Sequence, residues 1–201
     1  MGKKVSAVLP PTKPHKFCWF NGDPESYAEQ LIGATVCGAE GFGIFAEISF
    51  DNGKKICIND GVGPRFVGAG AQDNSRSQDN SRDYKGDYQL KLDFEDGSSL
   101  VFTVGMYGGI FLHAGDFDNE YYLKSKQSVS PFAPEFKTYW DQLIGNSKDK
   151  ISSKALLATE QRIPGLGNGV LQDILYEAGI NPRTALKDLD TKQRDVLYSK
   201  I

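Results

Sequence analysis

Gln161-Arg162-Ile163-Pro164-Gly165-Leu166-Gly167-Asn168-Gly169 runs directly into Val170-Leu171-Gln172-Asp173-Ile174-Leu175-Tyr176-Glu177-Ala178-Gly179. Two glycines one residue apart let a backbone turn sharply and approach a ligand closely. Asn168 is expected as the N-cap of a helix in which Leu171, Ile174, Leu175 and Ala178 recur at i, i+3, i+4, i+7. Gly179 closes the periodic run, and Asn181-Pro182 forbids its continuation. A glycine turn opening into a helix start offers free backbone N–H groups and the positive end of the helix dipole, an arrangement suited to phosphate. Upstream, Ser152 to Gln161 reads as a second helix with a serine cap and Lys154 in its first turn. The same pattern fits an αα-hairpin whose glycines serve only close packing. Both readings stay open at this level.

Further toward the N-terminus the periodicity changes from helical to alternating. Gly43 to Phe50, a turn at Asp51-Asn52-Gly53, and Lys54 to Ile58 predict a β-hairpin. Leu90, Leu92 and Phe94 alternate with polar residues, turn at Glu95-Asp96-Gly97, and return through Leu100 to Val104 as a second hairpin. A short helix is expected over Pro24 to Leu31, capped by Asp23, with Gly33 just past its end. Several short strands with turn signals predict a β-sandwich. Gln72 to Arg82 is a tandem copy of Gln-Asp-Asn-Ser-Arg without apolar residues, expected as a surface loop that tolerates insertion. The prolines at 131 and 134 mark a linker over 127–135. Helices are then predicted from Phe136 to Ile144, ended by Gly145, and from Asp190 onward, with Gln193 completing a capping box. The fold class is thus α+β, with a sandwich over 1–126 and a helical domain over 136–201.

Composition bounds the function only loosely. A chain of 201 residues can bury a real core. No apolar run approaches the length needed to cross a membrane, so no membrane partner is expected. The formal net charge of −3 argues mildly against nucleic acid as a partner. Lys150, Lys154, Arg162, Arg183, Lys187 and Lys192 nevertheless lie within or near the helical element, and phosphate contacts depend on local charge. Cys18, Cys37 and Cys57 have neither disulfide nor zinc-site spacing, and free buried thiols in a reducing cytoplasm are expected. His15 and His113 are the two histidines, and nothing in their spacing pairs them. Glu40 and Glu47 read as solvated strand carboxylates.

Lys154 through Pro182 resembles the helix–two-turn–helix element of the formamidopyrimidine-DNA glycosylase and endonuclease VIII family. Lys154, Leu157, Gly165, Gly167, Asn168, Leu175, Ala178, Gly179, Ile180 and Pro182 match without gaps. A weaker resemblance reaches back to Val5 through Pro14-His15-Lys16-Phe17 and Gly22-Asp23-Pro24. It implies a β-sandwich followed by the helical element, and excision of oxidised bases from double-stranded DNA by a monomer working in the cytoplasm. It also implies DNA-contacting roles for Lys154, Arg162, Gly165, Gly167, Asn168 and Gly169. Where family members insert an arginine into the gap left by the extruded base, this chain has Met106-Tyr107. Either side chain could wedge into a base stack, or the pair could be an apolar strand end packed in the sandwich.

The family's nucleophile is an N-terminal proline followed by a glutamate, whose amine attacks the sugar. Met1-Gly2-Lys3-Lys4 offers no such pair, about twenty residues short by alignment, so no catalytic residue is assigned. The family's four-cysteine zinc finger would follow the helical element, and no cofactor is expected from these residues. Two expectations result. One is a base-excision-repair glycosylase and AP lyase family protein recognising oxidised bases in duplex DNA, whose Pro-Glu nucleophile these residues lack. The other is a non-catalytic DNA-binding protein using the same phosphate-holding turn.

Overall fold

The computed structural model describes residues 1–69, 84, 86–115 and 117–201. The tandem repeat at 72–82 lies outside the described residues. The chain divides into two units, one comprising Met1–Gly41 and Phe45–Phe117, the other Phe42–Ile44 and Asp118–Ile201.

The first unit is built from β1 (Val5–Leu9), β2 (Cys18–Phe20), α1 (Tyr27–Leu31), β3 (Val36–Phe42), β4 (Phe45–Phe50), β5 (Lys54–Asn59), β6 (Val62–Val67), β7 (Leu90–Phe94), β8 (Ser99–Val104) and β9 (Gly108–Ala114). The strands form a four-stranded sheet, β1-β7-β8-β6, and a five-stranded sheet, β2-β9-β5-β4-β3. Both predicted hairpins are present, as β4–β5 and β7–β8. Their alternation does the work expected of it. Leu90, Leu92 and Phe94 of β7 join Phe50, Ile56, Ile58, Phe102, Ile110 and Leu112 in one buried core, since period-two residues share a sheet face.

The predicted short helix is split into a 3₁₀ turn over Pro24–Ser26, capped by the Asp23 carboxylate, and α1. Asn21, just before it, extends the sheet by side chain. Its amide donates to the Leu112 carbonyl and its Oδ1 accepts from the Leu112 N–H at 2.7 Å. Tyr27, buried beneath, donates to the Asn21 carbonyl at 3.1 Å. This fixes the exit of β2, a three-residue strand that pairs in parallel with β9.

The second unit contains α2 (Glu120–Lys126), α3 (Phe136–Asn146), α4 (Ser153–Ala158), α5 (Asn168–Glu177) and α6 (Thr191–Ser199). The segment Glu120–Lys126, expected within the sandwich, is therefore the first helix of the helical unit. Gly145 does not end α3, which runs on to Asn146 and is capped by the Ser147 N–H on the Ile144 carbonyl. Burial of Phe136 and Trp140 on this helix outweighs the roughly 1 kcal/mol that a helical glycine costs. The capping box at Asp190 and Gln193 is formed as predicted. Leu156, Leu157, Ile163, Leu171, Ile174, Leu175, Leu186 and Leu197 make the core of this unit.

Candidate functional site

Ser152 caps α4 by accepting the Ala155 N–H at 3.2 Å. The next turn is fastened to the chain that follows α5. Ser153 donates both its N–H (2.8 Å) and its Oγ (2.9 Å) to the Thr184 carbonyl, and the Lys154 N–H donates to Pro182 at 3.0 Å. The Lys154 backbone is thus held rigidly while its side chain is exposed. The helix stops at Ala158. A 3₁₀ turn follows in which Glu160 (φ 57°) and Gln161 (φ 50°) both take left-handed backbone, a conformation that costs a non-glycine residue about 1 kcal/mol or more.

Arg162 closes this bend. Its guanidinium donates to the Ala155 carbonyl at 3.0 Å, the Thr159 carbonyl at 2.9 Å and Glu160 Oε2 at 2.8 Å. Arg162 is therefore engaged in terminating α4, and its carbonyl accepts the Tyr139 hydroxyl. Ile163 is buried in the core. Gly165 then turns with φ +88°, and a Cβ on it would lie 2.8 Å from the Gly43 carbonyl oxygen. No side chain fits that position.

The N-cap of α5 is Gly167, in extended backbone (φ −80°, ψ 164°), and not Asn168. The Gly167 carbonyl accepts the Leu171 N–H at 3.0 Å. Asn168 occupies the first helical position instead, because the turn through Gly165 leaves the extended residue one place earlier. Glycine is an acceptable cap but has no oxygen with which to satisfy the first N–H groups. The N–H groups of Asn168, Gly169 and Val170 consequently have no hydrogen-bond partner among the described residues. All three residues are exposed. At its other end α5 closes as predicted, with Gly179 at φ +64°.

Met106 and Tyr107 form the β8–β9 turn, with Met106 76% and Tyr107 47% exposed. They are not packed into the sandwich as a strand end would be. The turn is pinned from below. The Gly109 N–H donates to Asn59 Oδ1 at 2.8 Å, and a Cβ on Gly61 would fall 1.7 Å from the Tyr107 carbonyl oxygen.

One charged group departs from its expected place. Glu47 is buried, with Lys55 Nζ 2.7 Å from Oε1 and His113 Nε2 3.2 Å from Oε2. These three residues lie on β4, β5 and β9, on the face of the five-stranded sheet opposite its core. His113 stacks on Phe117 at 4.9 Å. Burial holds the His113 imidazole below its ordinary value, against the opposing pull of Glu47. Alternation along β4 places Phe45 and Glu47 together, but cannot reveal that both are buried. Glu40 is exposed as expected. Cys57 is buried, Cys18 is half-buried with its thiol pushed up to about 11 by burial, and Cys37 is exposed. Among the described residues, no group of three metal-ligating side chains comes together.

No protein-family model matches the chain. In sequence it is similar to proteins named formamidopyrimidine-DNA glycosylase. It is 30% identical over 114 residues to that enzyme of Lactobacillus delbrueckii subsp. bulgaricus, covering 56% of this chain and 41% of the relative. It is 26% identical over 182 residues to that of Geobacillus kaustophilus, covering 89% and 62%. The chain thus spans about two to three fifths of the length of these curated relatives. In fold it is similar to the Lactococcus lactis enzyme in complex with DNA containing an abasic site. That match has a TM-score of 0.76 at 20% identity and covers 99% of this chain and 68% of the other. A complex of the same enzyme with FAPY-dG DNA gives a TM-score of 0.76, 20% identity, and coverage of 99% and 70%.

Proposed function

We propose that this chain recognises oxidised bases in duplex DNA and serves base-excision repair, in keeping with its similarity to formamidopyrimidine-DNA glycosylases. The open start of α5 carries the reading. Three exposed N–H groups, next to the exposed Asn168 amide and near the positive helix end, suit a DNA phosphate. Lys154, on the helix that packs against α5, supplies the mobile cation. Gly165 makes the turn against the Gly43 carbonyl, Gly167 withholds a capping oxygen from the helix start, and Gly169 continues the open surface. Arg162 contributes by holding the bend that presents the turn. In the sandwich unit, the exposed Met106 and Tyr107 provide the wedge that occupies the stack when a nucleotide is extruded.

Phosphate contacts of this kind position the protein, whereas discrimination of damage comes from the ease with which a damaged nucleotide leaves the stack. The chain should therefore bind a duplex with an abasic-site analogue more tightly than an intact duplex. Asn168→Ala should weaken that binding by about 1–3 kcal/mol, the worth of a hydrogen bond to a charged group. The Asn168 side chain makes no hydrogen bond among the described residues, so the melting temperature should not change. Unchanged affinity in this variant would remove the phosphate role. Release of the base from a duplex that carries an oxidised base, by the same chain, measures the excision activity directly.

A further inference from the structure

The five-stranded sheet carries an aromatic surface that phosphate holding does not use. The parallel register of β2 on β9 sets Cys18 beside Gly108, Trp19 beside Gly109 and Phe20 beside Ile110. Cys18, Phe20, Ile110 and Leu112 pack on the sandwich core. By alternation, Trp19 on β2 and Gly109 and Phe111 on β9 take the opposite face, and Phe17 and Tyr107 lead into these strands from the adjoining turns. The Gly108 N–H donates to the Phe17 carbonyl at 2.9 Å, which brings Phe17 alongside Tyr107. Gly109 leaves room for the Phe111 ring, which lies across it within 2.2 Å of where a Cβ would be. Trp19 is 51% exposed and Phe17 47%. A tryptophan, a phenylalanine, a tyrosine and a methionine thus stand open to solvent at one end of one sheet.

We propose that Phe17, Trp19 and Tyr107 form a stacking surface for unpaired bases of a single DNA strand, extending the Met106–Tyr107 wedge across β2. Alternate residues of a strand are spaced by about 6.6 Å. That is close to two steps of about 3.4 Å along a nucleic-acid strand, so successive aromatic rings can each receive a base. Aromatic side chains on neighbouring strands of a sheet bind single strands in this way, because every base has a π-face. Charge favours the same occupant. Lys16 Nζ lies 5.2 Å over the Phe17 ring, pairs with no carboxylate among the described residues, and is placed to meet the phosphate joining two stacked bases. The inference rests on the proposed function for its choice of DNA as the partner and for the wedge it extends.

The test uses the full chain and a fluorescein-labelled oligothymidine. Binding is read by anisotropy and, in parallel, by tryptophan emission. Of the two tryptophans, Trp140 is 3% exposed in the helical core, so quenching on titration reports Trp19. Trp19→Ala should weaken binding between about fivefold and a hundredfold, the range for loss of one base–aromatic stack. Trp19→Phe, which keeps a ring, should restore most of it. Lys154→Ala should leave oligothymidine binding unchanged while weakening duplex binding. Absence of oligothymidine binding, or equal affinity of the wild type and Trp19→Ala, would overturn the stacking surface and leave the phosphate-holding turn standing. Oligothymidine affinity, read by anisotropy, that Trp19→Ala weakens, with no effect of Lys154→Ala on duplex affinity, would keep the stacking surface and remove the turn.

Discussion

Gly165 shows how closely a single residue constrains the turn. Its φ of +88° and the 2.8 Å between its virtual Cβ and the Gly43 carbonyl oxygen penalise any side chain twice. Gly165→Ala should destabilise the helical unit by about 1–3 kcal/mol through backbone strain, with the steric contact adding to it. Urea unfolding followed by circular dichroism measures this, and an unchanged midpoint would show that the turn can relax. Gly167 is different, since its backbone is extended and nothing lies near its virtual Cβ. What it withholds is a capping oxygen, and that absence leaves the N–H groups of α5 open. The two glycines look alike in sequence. One is required by space, the other leaves donors free. The spacing revealed the turn but not this division, and it placed the cap one residue late because Pro164 and Gly165 set where helical backbone begins.

At the scale of elements, local signals were enough wherever a turn or cap is chemically specific. The Asp51-Asn52-Gly53 hairpin, the Asp190–Gln193 capping box and the Gly179 stop all formed as read. Signals failed where distant packing decides the outcome. Gly145 remains helical because Phe136 and Trp140 of the same helix are buried. Glu47 is buried between Lys55 and His113 on the outer face of the five-stranded sheet, which no alternation pattern encodes. That face carries a pH dependence. Burial lowers the His113 value, so the unfolded chain takes up a proton that the folded chain resists. The stability His113 contributes is complete above the ordinary histidine value of about 6.5 and declines as pH falls below it. Thermal midpoints should therefore fall from pH 7.5 to 5.5, and His113→Asn should flatten that fall. A variant with the same pH profile as the wild type would place the dependence elsewhere.

For the whole molecule, the charge balance sets the sharpest demand. A chain of net charge −3 gains nothing from its overall field on approaching DNA, so affinity must come from a few placed cations and helix-end N–H groups. Binding should then fall with salt along a shallow slope, since each neutralised phosphate contributes about −0.9 to the dependence of log K on log salt. Each unit has its own buried core, so a surface substitution on α4 leaves the sandwich core untouched. The most direct test is the salt dependence of affinity for a duplex carrying an abasic-site analogue, wild type against Lys154→Ala. The account predicts a measurable slope that becomes shallower by about one in the variant, with binding weakened alike for all flanking sequences. Identical slopes and affinities for the two proteins would contradict it.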